Sequence, residues 1–465
     1  ETVGGLVDGS GEVAWAPTRA WDLALRADDL GPGQQYPDLT GRVGFALNSA
    51  GGLEAGFDYA LQASAALASY PPAVIDLSGE GTGESARIQT LDIQVLDGRI
   101  SGDGRIAWAP AVQWQAALRL AELDPGTVLA DWPGRIGGLV ESSGRITDEG
   151  PDLTARISDI AGTLRGYPVR LAAELGMTGQ DISLRNLSAG SGSTQLTAAG
   201  GVGGERLDLR FDLASPDLAA LLPGAGGSLD VAGELGGTLA APRVQINLQG
   251  RDAELNGQGI AEVTASADVG LGPDDDFQVD ISGKNLIAGG QRFETLAVTG
   301  SGRMDRHQLR AAVAGDLLAL ELGASGGLGA DGAYTGRLAT LELATEELGN
   351  WTLRRPADLA FGDGAVSVGP LCLGDGRDSG GCVGFQQPQP GRFEVSLDLE
   401  RLDFGIVNPL LPELMVMEGY VRAEGRFTGE GNRLSGSARV EVPTGALMMA
   451  LGEGDEQTRD RLVFS

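Results

Sequence analysis

The sequence predicts an all-β fold, drawn out as an elongated, open, solenoid-like curled sheet with an apolar concave groove. Three observations carry that expectation. Apolar residues recur with period two almost everywhere, which places one row on each face of a strand. Clusters of Gly, Asn, Asp and Ser break these runs roughly every eight to twelve residues, the spacing that hairpin turns require. Glycine makes up 75 of 465 residues and aromatics only 5%, without a collagen period, which favours a turn-rich β chain.

In chain order, the first elements form a repeat. Ser10-Gly11-Glu12-Val13-Ala14-Trp15-Ala16-Pro17, followed by Trp21, returns as Gly102-Asp103-Gly104-Arg105-Ile106-Ala107-Trp108-Ala109-Pro110, followed by Trp114. The offset is 93 residues, and it also carries Gly41-Arg42-Val43-Gly44 into Gly134-Arg135-Ile136-Gly137. Helical stripes are scarce. Pro125-Gly126-Thr127-Val128-Leu129-Ala130 and Asp217-Leu218-Ala219-Ala220-Leu221-Leu222 each follow a turn signal and read as one or two turns at a sheet edge.

Alternation is clearest in Leu207-Asp208-Leu209-Arg210-Phe211-Asp212-Leu213. It returns in Val244-Gln245-Ile246-Asn247-Leu248-Gln249, in Val395-Ser396-Leu397-Asp398-Leu399-Glu400 and in Val421-Arg422-Ala423-Glu424-Gly425-Arg426-Phe427. The apolar members are the expected lining of the groove: Leu207, Leu209, Phe211, Leu213, Val244, Ile246, Leu248, Val395, Leu397, Leu399, Val421, Ala423 and Phe427. Leu-Leu-Pro at 221–223 has an echo at 410–412. One unit repeated without a Pro/Ser-rich linker is the pattern of a quasi-one-dimensional stack. Residues 1–465 are therefore expected to form one continuous segment with no internal boundary. Strands of eight to ten residues would number roughly 35–40 and extend about 170–190 Å at ~4.8 Å per strand.

Composition excludes several classes. With 34 Lys and Arg against 64 Asp and Glu, the formal charge is −30, which repels a phosphate backbone and argues against nucleic acid. No apolar run approaches the ~18 residues of a membrane-crossing helix; Asp28-Asp29 and Glu321 interrupt the candidates. The chain opens at Glu1 with no visible signal peptide and reads as a piece of something longer. At 42% hydrophobic content it is too apolar for an unfolded acidic chain.

Catalytic and metal motifs are weak. Gly323-Ala324-Ser325-Gly326-Gly327 matches a nucleophile elbow, but its flanks are strand-like. The one histidine, His307, sits in the polar stretch Arg303-Met304-Asp305-Arg306-His307-Gln308 with no partner motif. Asp274-Asp275-Asp276 lacks the spaced ligands of a calcium loop and reads as a solvated hairpin tip. No catalytic residue, metal or cofactor is expected. Cys372 and Cys382 flank Gly374, Gly376, Gly380 and Gly381. That spacing suits a hairpin closed by a disulfide worth about 2.8 kcal/mol in the chain-entropy model. Two buried free thiols are the alternative.

The Gly-x-Val/Ile-x-Trp-x-Pro unit with its following Trp resembles the TamB family of Gram-negative bacteria. So does Trp351-Thr352-Leu353-Arg354-Arg355-Pro356-Ala357-Asp358-Leu359, with Leu371-Cys372-Leu373 and Gly381-Cys382-Val383-Gly384 beyond it. The tail from Leu402-Asp403-Phe404 to Met417-Glu418-Gly419-Tyr420-Val421-Arg422-Ala423-Glu424-Gly425 is similar as well. The resemblance implies a β-taco of the AsmA-like, bridge-like lipid transfer superfamily. It implies a periplasmic location, within a protein held in the inner membrane by an N-terminal anchor expected outside this sequence. Phospholipids are the implied cargo, and an outer-membrane barrel, TamA, is the implied partner, reached through other parts of the protein. The cysteine pair fits that family and an oxidising periplasm.

On this reading the chain is no enzyme but a segment of a conduit from inner to outer membrane. An acyl chain kept in an apolar trough avoids exposure to water, at ~0.8 kcal/mol per CH₂. A chaperone-like scaffold offering sheet edges to outer-membrane β-barrel proteins is the alternative. A closed β-helix adhesin or polysaccharide-acting protein is the second.

Overall fold

The computed structural model describes residues 4–464 except 35, 273, 330, 347–348, 407, 409–414, 432 and 452–457. The Leu-Leu-Pro echo at 410–412 lies outside the described residues. Among the described residues, thirty strands account for the regular structure, together with single turns of 3-10 helix. The strands are fewer than the roughly 35–40 expected because they are longer, as in the 15 residues of Gly150–Leu164. Polar pairs inside the alternation, which look like turns in the sequence, are passed through as bulges.

The chain forms two compact units, Glu1–Leu239 and Ala240–Ser465. The first opens with β1 (Gly4–Ala14), β2 (Ala20–Gly31), β3 (Gly41–Gly52), β4 (Gly56–Leu67) and β5 (Ala73–Gly81). Next come β6 (Ser85–Val95), β7 (Gly98–Ala107), β8 (Gln113–Leu123), β9 (Gly134–Thr147) and β10 (Gly150–Leu164). It closes with β11 (Tyr167–Thr178), β12 (Asp181–Ser191), β13 (Thr194–Gly203), β14 (Arg206–Ser215) and β15 (Ala225–Gly237). Each strand pairs antiparallel with its neighbour in the chain, as a meander of hairpins does.

The second unit opens with β16 (Pro242–Leu255), β17 (Gln258–Gly270), β18 (Asp276–Ala288), β19 (Gln291–Arg303) and β20 (Arg306–Ala314). Next come β21 (Leu318–Leu328), β22 (Tyr334–Thr345), β23 (Gly349–Leu353), β24 (Ala357–Gly362) and β25 (Ala365–Gly374). It closes with β26 (Gly380–Gln389), β27 (Arg392–Asp403), β28 (Met415–Glu430), β29 (Arg433–Leu451) and β30 (Thr458–Phe464). The meander continues here with one departure. β23 and β24 share a single lane, each pairing with β22 on one side and β25 on the other.

The two expected helical stretches are shorter than a helix: single 3-10 turns over Pro125–Thr127 and Leu218–Ala220. Asp124 and Asp217 cap them, each accepting from the amide two residues on, at 2.8 and 3.0 Å. Five strands of the first unit carry one extra residue, at Asp28-Asp29, Gln89-Thr90, Glu122, Ser158-Asp159 and Arg185-Asn186. Four of these residues take left-handed φ: Asp29 (64°), Glu122 (56°), Asp159 (53°) and Asn186 (52°). A bulge bends its strand and sharpens its twist; these lie on β2, β6, β8, β10 and β12, so from β6 to β12 the bend recurs on every second strand.

Little of either unit is enclosed. Among the described residues the buried apolar set is Ala27, Leu123, Ile160, Ala173, Ala220, Ala357, Cys372 and Ala446. No helix among them is long and apolar enough to cross a membrane.

Candidate functional site

Register turns the alternation into continuous rows. In the first unit Leu25 opposes Leu47, Leu47 opposes Leu61, and the succession runs on through Leu77, Leu91, Gly102, Leu118, Val140, Ile157 and Ala173. The expected lining residues Leu207, Leu209, Phe211 and Leu213 belong to this unit. They face Val202, Leu235, Gly233 and Val231.

In the second unit Leu248 opposes Ala265, and the row continues through Ile281, Val298, Ala311, Leu322 and Leu341. Leu353 stands one step beyond the Glu342–Thr352 pair. From there the row runs through Leu373, Gly381, Leu399, Ala423 and Val440. Val244 and Ile246 face Val269 and Ala267. Val395 and Leu397 face Phe427 and Gly425, and Val421 faces Leu402.

Most residues of these rows are half-covered, with Ala173 buried and Val440 exposed at the extremes. On β14 the apolar residues are half-buried while Asp208, Arg210, Asp212 and Ala214 between them are exposed. β16 and β28 show the same alternation, and Leu397 is 40% exposed. A fully buried leucine gains about 1.5–3 kcal/mol, so each half-covered one retains roughly half of that for a second apolar surface.

Aromatic rings cover glycines at one end of the strands. Tyr59 Oη lies 2.6 Å from where a Cβ on Gly79 would sit, and Trp114 Cζ2 lies 2.5 Å from that of Gly144. Trp21 Nε1 donates to Ser49 Oγ at 2.9 Å, and Trp114 Nε1 donates to Ser142 Oγ at 3.1 Å. The 93-residue repeat is thus kept in three dimensions. Asp29–Arg42 and Glu122–Arg135 ion pairs, at 3.1 and 3.2 Å, preserve it again.

In the second unit the rings of Phe277, His307, Tyr334 and Phe361 follow one another at 5.6, 5.5 and 5.9 Å between centroids. His307 is 8% exposed, with Nδ1 3.3 Å from Arg303 O. Only Met304 and Asp305 of the polar stretch around it form a turn; His307 lies in β20 and its ring belongs to the apolar face. The missed signal was the strand parity that puts Leu309, Ala311 and Val313 on the same side.

The opposite face is charged. Arg210–Glu234, Lys284–Glu262 and Arg337–Asp358 bridge neighbouring strands at 2.9, 2.7 and 2.9 Å. Exposed pairs of this kind contribute about 0–1 kcal/mol each, so the face is chiefly a solvated surface. The Lys284 hydrogen bond holds the Glu262 carboxyl below its usual range, and that of Arg243 does the same for Asp268.

The remaining motifs resolve into local structure. Ser325 lies inside β21, and His307 opposes Gly326, so the serine and the histidine stand on opposite faces. Asp275 accepts from Gly272 N at 3.0 Å, and Asp274 pairs with Arg303 at 2.6 Å, in the turn before β18. Cys372 on β25 and Cys382 on β26 are direct partners and are joined by a disulfide.

The comparisons with known proteins point one way. The family model "TamB, N-terminal domain" matches residues 45–451. The "Translocation and assembly module subunit TamB" of Haemophilus influenzae is 22% identical over 259 residues, which cover 55% of this chain and 20% of that protein. The match therefore spans about a fifth of the relative. A repeated antiparallel meander and a family match over most of its length lead to one assignment: the chain belongs to the TamB family.

Proposed function

We propose that the apolar rows hold the acyl chains of phospholipids, making this chain a segment of a path across the periplasm toward the outer membrane. The observation that supports it is the half-covered apolar row, continuous from strand to strand within each unit. A protein folding for its own sake would close such a face; here the apolar surface is left able to take a ligand of matching chemistry. The relative's name, a subunit of a translocation and assembly module, agrees with a transport or assembly role at the outer membrane. In this reading the whole protein is anchored in the inner membrane and meets an outer-membrane barrel of the TamA kind through its other parts. The chain is a conduit, with no chemistry of its own.

A photo-crosslinker at Leu248 or Leu397 tests the reading. It should capture phospholipid, while the same group at Gln249 or Asp398, on the charged face, should not. Lipid captured only from the charged face overturns it, as does capture of a barrel protein's strands in place of lipid. The second outcome would favour the scaffold reading.

A further inference from the structure

We propose that Arg165 is a clasp that couples two loops, residues 124–133 and 216–224, into one wall across an end of the apolar rows in the first unit. Successive turns of a meander alternate between the two ends of its strands. These loops, after β8 and β14, therefore lie at the same end as the two-residue turns after β10 and β12. Arg165 occupies the turn after β10. It and Gly166 have φ of 54° and 84°, a turn whose first place favours Asn or Asp, as in Asn256-Gly257 and Asp363-Gly364. An arginine in left-handed backbone runs against its own preference, and such a residue is held there by what surrounds it.

Both loops reach it. From the first, Pro133 O accepts from Arg165 N at 2.7 Å, and the Trp132 ring centroid lies 5.1 Å from the guanidinium carbon. From the second, Ala219 O accepts from Arg165 Nη2 at 2.8 Å, across 54 residues of chain. The ring of Tyr167 stands at 5.9 Å. Arg165 Nη1 is buried with no hydrogen-bond partner among the described residues, and the two rings are the groups placed to take up that part of its charge. A guanidinium can do both at once, stacking by its face while its edge donates.

The second loop folds over the apolar side. Thr194 and Ser215 keep the parity of Leu196 and Leu213, which oppose each other there. They are 2% and 0% exposed, bonded to each other at 2.7 Å, and each reaches Asp217 O, at 3.4 and 3.2 Å. Ala220 is buried as well; its carbonyl accepts from Ser191 Oγ at 2.9 Å, and its Cβ lies 3.4 Å from where one on Gly192 would sit. The loop thus runs back from β14 past the β12–β13 turn to Arg165. Resting on the acyl-chain reading, the wall keeps a cargo chain from slipping off that end of the strands.

Hydrogen exchange read by mass spectrometry tests the clasp without reference to lipid, on the chain and on Trp132→Leu and Arg165→Met variants. Trp132 bears on the second loop through Arg165, so Trp132→Leu should speed exchange over 216–224 by about two- to fivefold. Arg165→Met should speed both loops by about three- to thirtyfold, leaving β3 to β5 unchanged. Exchange over 216–224 that Trp132→Leu leaves unaltered, or raises no more than in β3 to β5, overturns the proposal. A photo-crosslinker at Leu209 reads the role of the wall: lipid capture should fall severalfold in Arg165→Met. Undiminished capture overturns that role, whereas no capture in the unsubstituted chain overturns the acyl-chain reading and leaves the clasp standing.

Discussion

Glycine is the residue on which this fold depends most, for two different reasons. Some glycines sit in turns with left-handed backbone, such as Gly257 and Gly391, with φ of 77° and 81°. Others lie inside strands under an aromatic ring. Gly81 is one, and a Cβ there would overlap the ring of Phe57. Gly81→Val should therefore destabilise the first unit by about 1–3 kcal/mol, as overpacking does, read as a lower denaturation midpoint. Gly83→Ala is the control: its new Cβ would meet nothing closer than 3.6 Å, and the midpoint should stay within about 0.5 kcal/mol. Composition reveals the abundance of glycine but not this division. A ring covers a glycine only because register sets the two opposite each other.

At the scale of the element, alternating rows were legible and bends were not. A strand's faces follow from its own residues, so Leu209 and Phe211 could be placed on one side without a partner. The bulges look in the sequence like small breaks: Ile157-Ser158-Asp159-Ile160 and Leu184-Arg185-Asn186-Leu187. Each puts two polar residues between apolar ones, a pattern that also fits a turn. Asn186 at φ 52° is in a region where Asn and Gly are tolerated and β-branched residues are not. Asn186→Val should cost about 1–2 kcal/mol, and Asn186→Gly close to nothing, with denaturant midpoints separating them. The cysteine hairpin is also decided at this scale. Intact mass should show the oxidised chain taking no alkyl group until reductant is added. A chain alkylated twice without reductant removes the disulfide.

For the whole molecule, the 93-residue repeat and the missing linkers carry the proposal of one continuous segment. On that proposal the thirty strands of the described residues, with β23 and β24 in one lane, make 29 lanes, which at ~4.8 Å each would reach about 140 Å, a rod with a radius of gyration of roughly 40 Å. A compact chain of 465 residues would have about 23 Å. Small-angle scattering distinguishes the two directly. A value near 25 Å would end the continuous-segment proposal and leave the rows as local features of separate bodies.

By itself the sequence determined the all-β class, the alternating rows of its clearest strands and the hairpin turns between strands. These depend on side-chain parity and turn residues, which are properties of a few adjacent positions. It also carried the resemblance that the family match bears out. Tertiary structure alone decided that His307 is part of a ring ladder, that Asp159 and Asn186 bend strands, and that β23 and β24 share one lane. Each of those is a relation between residues brought together by register across neighbouring strands, and no single strand's pattern contains its partner's offset.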